Sequence, residues 1–270
     1  MGNSDLAQSF VKGVGQSASK LRGTMDGNSI IWIAALMAIA AALYSSIGHG
    51  GASAYLAIMA LFSVAPDVMR PTALALNLAV ASFAAARFAM EGQTNWRLLA
   101  AFAVTAVPAA FVGGSLKLPP ELYRPLVGVV LLFAAVRLFW QPEQLAARPV
   151  HSPSMAITLP LGAALGLLAG LTGTGGGIFL SPLIILFGWE GARKTSGVAA
   201  TFIFVNSVAG LFGNIASVRR LPAELPILVI SVFAGALIGT WLGVSRLPRH
   251  RLLQALAIVL VIAACKLLFT

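Results

Sequence analysis

The chain consists mainly of long apolar runs separated by short polar stretches. A transmembrane helix needs about 20 predominantly apolar residues, and the longer runs approach or reach that length. They occupy residues 30–47, 71–90, 98–116, 122–140, 155–172, 195–217, 223–244 and 252–269. Two shorter runs, 53–65 and 178–188, each follow a cluster of glycines. The pattern predicts an all-α integral membrane protein in which nearly every residue belongs to a span or a short connection.

Charged residues are few and scattered. The 270 residues are 59% hydrophobic and 10% charged, with a mean hydropathy of +0.91, whereas soluble domains carry about 25% charged residues. The net charge of +10 comes from lysines and arginines scattered among the loops, where they flank spans and meet lipid headgroups. This distribution argues for a bilayer and against nucleic acid as the partner. The single cysteine, Cys265, argues against a disulfide framework or a metal cluster, and we predict no cofactor.

The sequence aligns with itself as two copies of one unit. Residues 48–62, GHGGASAYLAIMALF, match residues 173–187, GTGGGIFLSPLIILF, with three glycines in register. If each short segment returns through the membrane, a unit has five segments and the copies are inverted. If it continues the preceding helix, a unit has four spans and the copies are parallel. We favour inversion, the arrangement common among secondary transporters, in a chain divided into a polar N-terminal tail (1–27), a first repeat (28–140), a linker (141–153) and a second repeat (154–270).

The glycine clusters interrupt apolar segments and lower helix stability there, since each glycine in a helix interior is about 1 kcal/mol less favourable than alanine. A broken helix is tolerated at membrane depth only where its freed backbone groups line a cavity or face protein. Free N–H groups at the start of the next helix, together with the helix dipole, can bind an anion without any lysine or arginine. The alternative role of glycine is close helix packing, which fits Gly162, Gly166 and Gly170.

The paired G-x-G-G motifs, the A-x-x-N/T pattern of the following segment and the duplicated layout resemble the TauE/SafE family of sulfite and organosulfonate exporters, grouped with toluene-sulfonate uptake permeases. The resemblance extends from about residue 30 to residue 270, and GTGGGIFLSPLI is its most specific part. It implies a multi-pass bacterial inner-membrane transporter of small sulfur-containing anions. The two motifs differ, because His49 stands where Thr174 does and Ala52 where Gly177 does.

The predicted substrate-binding residues lie in the two glycine clusters and in the segment that follows each of them. Asn77 and Thr201 occupy matching positions in those segments, and Asn206 is a weaker candidate. Hydrogen bonding between helices is the competing role for all three. The full set is Gly48, His49, Gly50, Gly51, Asn77, Thr174, Gly175, Gly176, Gly177, Thr201 and Asn206.

Other polar residues leave alternatives open. His49 could bind an anion or shuttle a proton, or it could be satisfied by carbonyls of the broken helix. Thr172, Thr174 and Ser181 could donate to an oxyanion, although such hydroxyls more often bond their own backbone. Arg70 and Lys194 precede the third segment of each unit, where we expect solvated flanking charge rather than an electrostatic funnel.

The carboxylates are informative because all of them fall outside the predicted span centres, so coupling through an intramembrane carboxylate is not expected. The sequence therefore predicts a secondary transporter, an exporter, of anions such as sulfite, thiosulfate or organosulfonates. Alternatives are an anion channel or facilitator and a carboxylate transporter of the same fold. A membrane enzyme is disfavoured, since GHGGAS is not accompanied by a G-x-S-x-G or HExxH motif. A homodimer is left open.

Overall fold

A computed structural model describes residues 27–46, 51–139, 150–215, 221–242 and 249–269. Most of the predicted tail, residues 1–26, lies outside the described residues, as do residues 141–149 of the predicted linker and Gly48, His49 and Gly50 of the first glycine cluster.

The described residues are helical and contain no strand. Within these described residues, ten helices follow one another, separated by short turns or by the segments that the structure does not describe. The first five are α1 (Gly27–Ser46), α2 (Ala52–Leu61), α3 (Pro66–Met90), α4 (Trp96–Ser115) and α5 (Pro120–Phe139). The second five are α6 (Met155–Thr172), α7 (Gly177–Leu186), α8 (Ala192–Gly213), α9 (Leu225–Leu242) and α10 (Arg249–Phe269).

Helix lengths follow the hydropathy pattern. By length and composition, α3, α4, α6 and α8 can each cross a membrane, and the apolar parts of α1, α9 and α10 are somewhat shorter within the described residues. The predicted class, an all-α membrane protein, is therefore confirmed. The two short runs that follow the glycine clusters form α2 and α7, each of ten residues. At 1.5 Å per residue, such a helix covers about half of a hydrocarbon core.

Local sequence accounts for several helix starts. The Asn95 side chain accepts a hydrogen bond from the Leu98 amide (3.0 Å) at the start of α4, and the Ser154 hydroxyl accepts one from the Ala156 amide (3.3 Å) at the start of α6. Both are N-caps, which satisfy amides that a helix cannot pair internally. Pro66 begins α3, where the missing N–H of proline costs nothing.

Small residues allow the long helices to pack closely. A Cβ at any of three α6 glycines would overlap the backbone of α4, and Gly235 and Gly239 of α9 meet α1 in the same way. The expectation that the α6 glycines serve helix packing is thus confirmed. Contacting residues follow the same order along both helices, so α4 and α6 run parallel: Gly162 meets Phe102, Gly166 meets Ala106 and Gly170 meets Ala110.

The half-length helix α7 turns back along the bundle. Shortly after its end, the Gly188 carbonyl accepts a hydrogen bond from the His151 amide (3.1 Å), just before α6 begins. Trp189 packs on Phe102 of α4, with ring centroids 5.8 Å apart. The segment after α6 therefore returns towards the side on which α6 started and does not continue beyond its end.

Candidate functional site

The turn between α6 and α7 consists of Gly173–Gly176. Gly173, Gly175 and Gly176 have φ values of +86°, +73° and +80°. These left-handed conformations are freely accessible only to glycine. The reversal of the chain after α6 therefore explains why this cluster is rich in glycine. The turn ends α6 and starts α7 within four residues.

This turn is buried against α3 and α8. A Cβ at Gly175 would stand 3.0 Å from Nδ2 of Asn77, 3.1 Å from Oγ of Ser207 and 2.8 Å from the Ile203 side chain. A Cβ at Gly176 would stand 2.9 Å from the Phe202 ring. The absence of side chains at Gly175 and Gly176 therefore lets the turn approach the polar groups of α3 and α8.

The N-terminus of α7 points its first amides into this region. Phe179 and Leu180 donate to the Gly176 carbonyl, at 3.1 and 3.2 Å. The amides of Gly177 and Ile178 come before these bonds, at the positions where a helix leaves its N–H groups unpaired. The positive end of the α7 dipole lies at the same place. The turn thus offers backbone donors and a partial positive charge.

Two polar side chains beside the turn, on Asn77 and Ser207, and that of the neighbouring Asn206 have no partner in the part of the chain that the structure describes. Asn77, Asn206 and Ser207 are all fully buried, and neither amide nor the hydroxyl makes a hydrogen bond there. Each such group costs about 1–3 kcal/mol when left unpaired. Asn206 lies on the same face of α8 as Ile203 and Gly210, because residues three or four apart share a helix face. Ile203 faces the turn, and Gly210 faces α6 and Leu74 of α3.

Sequence reasoning did not identify Ser207. The sequence feature that could have indicated Ser207 was its position directly after Asn206 and four residues after Ile203, which places it on the same helix face as Ile203. Thr72 of α3 is likewise buried, with no partner for its hydroxyl among the described residues.

Most of the predicted hydroxyl donors bond their own backbone. This was the competing interpretation for Thr172 and Ser181, whereas for Thr201 the competing role was hydrogen bonding between helices. Thr201 donates to the Gly197 carbonyl (3.0 Å), Ser181 to the Gly177 carbonyl (3.0 Å) and Thr172 to the Leu168 carbonyl (2.6 Å). The Thr174 hydroxyl lies 2.9 Å from that of Thr172. Unlike these hydroxyls, the side-chain amides of Asn77 and Asn206 have no partner among the described residues.

The expectation for Arg70 was wrong. We expected solvated charge, but Arg70 is buried, and its guanidinium donates to the carbonyls of Gly113, Gly114 and Leu116 (2.8 Å for Leu116). These carbonyls end α4, where a cation complements the negative end of the helix dipole. Lys194, at the matching position, is exposed as expected.

Arg70 also connects this helix end to the candidate site, because a Cβ at Gly173 would stand 3.0 Å from the Arg70 carbonyl oxygen. On the other side, the Tyr123 hydroxyl donates to the Thr172 carbonyl at the end of α6 (3.1 Å). The start of the turn is therefore held by α3 and by α5.

The first glycine cluster can be compared only at Gly51, the N-cap of α2, which is buried and has an ordinary φ of −84°. A Cβ there would stand 2.6 Å from the Tyr55 ring. Gly48, His49 and Gly50 lie outside the described residues, so whether the two clusters converge stays a prediction.

A helical bundle with a half-length helix, a buried glycine turn and buried polar groups that lack a partner among the described residues is typical of membrane transporters. The sulfite exporter TauE/SafE family model matches residues 33–267, and the chain belongs to this family. It is 37% identical over 255 residues to the "Probable membrane transporter protein y4hK" of Sinorhizobium fredii, covering 91% of this chain and 100% of that protein.

A second relative is the "Probable membrane transporter protein YjnA" of Bacillus subtilis, 26% identical over 238 residues, covering 82% of this chain and 92% of that protein. No solved structure matches the chain. The family and the names of the relatives indicate a multi-pass membrane transporter rather than an enzyme. Such a protein handles a small substrate and lies in a lipid bilayer.

Proposed function

We propose that this protein is a secondary transporter that exports small sulfur-containing anions, such as sulfite, thiosulfate or organosulfonates, across a bacterial inner membrane. The observation that carries the proposal is the buried Gly173–Gly176 turn, with the N-terminus of α7 and the Asn77 amide beside it. The Asn77 amide and that of Asn206, which precedes Ser207, have no partner among the described residues. The description of the family supports the choice of sulfur-containing anions.

The anion is held by neutral donors. Backbone amides of Gly175, Gly176, Gly177 and Ile178, supplemented by the Asn77 side chain, replace the hydrogen bonds that the solute loses on leaving water. Preorganised dipoles of this kind are worth more in a water-excluded site than in solution. Arg70, the cation that contacts the turn, has its donors directed at the α4 carbonyls, so it holds the turn in place rather than binding the solute.

The carboxylates of the described residues lie at helix ends, which supports transport without an intramembrane carboxylate relay. Asp67 and Glu121 belong to the first turns of α3 and α5, and Glu91 follows α3. Glu190 lies between α7 and α8, where its carboxylate accepts hydrogen bonds from Asn95 Nδ2 (2.6 Å) and the Gly191 amide (3.0 Å).

We further propose that residues 28–140 and 154–270 are inverted repeats of five helical segments each. Helix pairing supports this division, because α4 packs on α6 as α9 packs on α1. In the alignment of the two copies, VGGS at 112–115 matches IGTW at 238–241. The matched Gly113 and Gly239 make equivalent contacts, the first with α6 and the second with α1. The return of α7 supports the five-segment unit, since it reverses the chain once more before α8 begins.

The proposal is tested with the full-length protein reconstituted in liposomes. Uptake of radiolabelled sulfite should saturate and should accelerate when unlabelled sulfite is trapped inside, because a carrier exchanges solutes through one site. Protein-free liposomes are the control for leakage, and thiosulfate, methanesulfonate and acetate define the substrate class. If no sulfur-containing anion exchanges, the proposal fails. If uptake is conductive and does not accelerate, the protein is a channel.

A further inference from the structure

A cavity of about 550 Å³ lies at the end of the bundle where α4 and α6 begin. Its long wall is apolar and includes Leu98, Ala101 and Val104 of α4 and Leu159 of α6. Val104 is 67% exposed, and in a membrane-spanning helix an exposed apolar side chain faces lipid. The cavity therefore opens sideways into the bilayer, close to its interface with water.

The polar end of this cavity is lined by positively charged groups. The parallel helices α4 and α6 both have their N-termini there, next to the caps Asn95 and Ser154, and each contributes about half a positive charge. Arg97, which lines the cavity, is exposed and belongs to neither of the ion pairs found within the described residues. Amides of a helix N-terminus together with an arginine form a recognised arrangement for binding phosphate.

A neighbouring carboxylate offsets part of this charge, and the cavity does not extend inwards. Glu190 accepts hydrogen bonds from Asn95 and from the Gly191 amide, so its negative charge lies near the α4 N-terminus. Arg97 together with the two helix N-termini, each about half a charge, still leaves a net positive charge. Further along the helices, Gly162 of α6 packs on the Phe102 carbonyl of α4, so the cavity closes between them. The Gly173–Gly176 turn lies at the opposite end of α6.

We propose that this cavity binds an anionic phospholipid from the surrounding bilayer. The phosphate lies between Arg97 and the N-termini of α4 and α6, and an acyl chain lies along Val104 and Leu159. A small soluble anion could use the first part of the site but not the second, because the apolar wall from Leu98 to Val104, about 9 Å long at 1.5 Å per residue, offers it no hydrogen bond. The site does not depend on the identity of the transported solute.

The test is native mass spectrometry of the full-length protein released from detergent with phosphatidylglycerol or phosphatidylcholine added. The wild-type protein should retain phosphatidylglycerol in preference to phosphatidylcholine. Arg97→Gln should weaken that retention about fivefold, the effect of one interfacial arginine on an anionic headgroup. Ala101→Trp should weaken it by filling the apolar wall.

Two controls match these variants. Arg193→Gln removes an exposed arginine of α8 that contacts Glu91. Val112→Trp places a tryptophan about three turns further along α4, at an exposed position. Both variants should retain phosphatidylglycerol like the wild type. Equal retention by Arg97→Gln and wild type would overturn the proposal, even if Ala101→Trp does not fold. So would equal retention of the two lipids, or displacement of phosphatidylglycerol by inorganic phosphate alone.

Discussion

The helix α6 and the turn that follows it contain glycine for two different physical reasons. Gly162, Gly166 and Gly170 have helical backbone and are small because the α4 backbone touches them. Gly173, Gly175 and Gly176 have positive φ and are small because the chain reverses there beside Asn77 and Ser207. Substitution in the first set should therefore act on stability, and substitution in the second set on transport.

The largest effect is expected from Gly175→Leu. The side chain must adopt a left-handed backbone conformation, which costs about 1–2 kcal/mol, and its Cβ would press on Asn77 and Ser207. Transport should fall to the level of protein-free liposomes while the protein still reaches the membrane. Gly92→Leu is the matched control, since Gly92 has a φ of +64° but no atoms within 4 Å of its Cβ position. Normal transport by Gly175→Leu would exclude the turn as the binding site.

Arg70→Gln should give the next largest effect, now on stability. Three carbonyls at the end of α4 lose a charged donor in a buried site, which we expect to cost about 3 kcal/mol and to lower the midpoint of thermal unfolding in detergent. The control is Lys194→Gln at the matching position, where an exposed side chain should change stability by less than about 0.5 kcal/mol. Similar midpoints for the two variants would mean that Arg70 does not hold the α4 end.

Gly166→Ala tests the other glycine set. Its methyl group would overlap the Ala106 backbone, and relieving that contact by separating α4 from α6 should cost about 2 kcal/mol. Transport per folded molecule should be retained. Gly191→Ala serves as control because nothing lies within 4 Å of its Cβ position. If Gly166→Ala instead abolishes transport at unchanged stability, the distinction between the two sets is wrong.

The smallest effect is expected from Ser207→Ala. Loss of one neutral hydroxyl beside Gly175 should raise the half-saturation concentration for sulfite about fivefold, equivalent to about 1 kcal/mol. Ser82→Ala removes a hydroxyl on the exposed side of α3 that donates to the Ala79 carbonyl (2.9 Å), and it should leave sulfite uptake unchanged. If the two variants have the same half-saturation concentration for sulfite, Ser207 does not contribute to the binding site.

Sequence patterns predicted the helices well because membrane spans depend on local hydropathy and length. The run 155–172 coincides with α6, and both runs that follow glycine clusters form ten-residue helices. The close packing of Gly162, Gly166 and Gly170 was also predictable, because a four-residue spacing of small residues has few other uses in lipid. Their partner helix was not predictable, since nothing local to α6 identifies α4.

Side-chain roles at the candidate site were less accessible from sequence. Arg70 and Lys194 occupy matching positions in the alignment, yet one is buried on the end of α4 and the other is exposed. The hydroxyls of Thr201 and Ser181 were candidates, but each donates to its own helix. Whether a polar side chain is free depends on its neighbours from distant segments, which a pattern within one segment does not contain.

By itself, the sequence determined that this protein is a membrane-spanning helical transporter with glycine interruptions before two half-length segments. Hydropathy and the backbone freedom of glycine are properties of adjacent residues, so they can be read along one chain. Only the tertiary structure decided that α7 turns back, that Asn77 and Ser207 meet Gly175, and that Arg70 holds the end of α4. These features depend on contacts between residues far apart in the chain, which form only when the helices pack together.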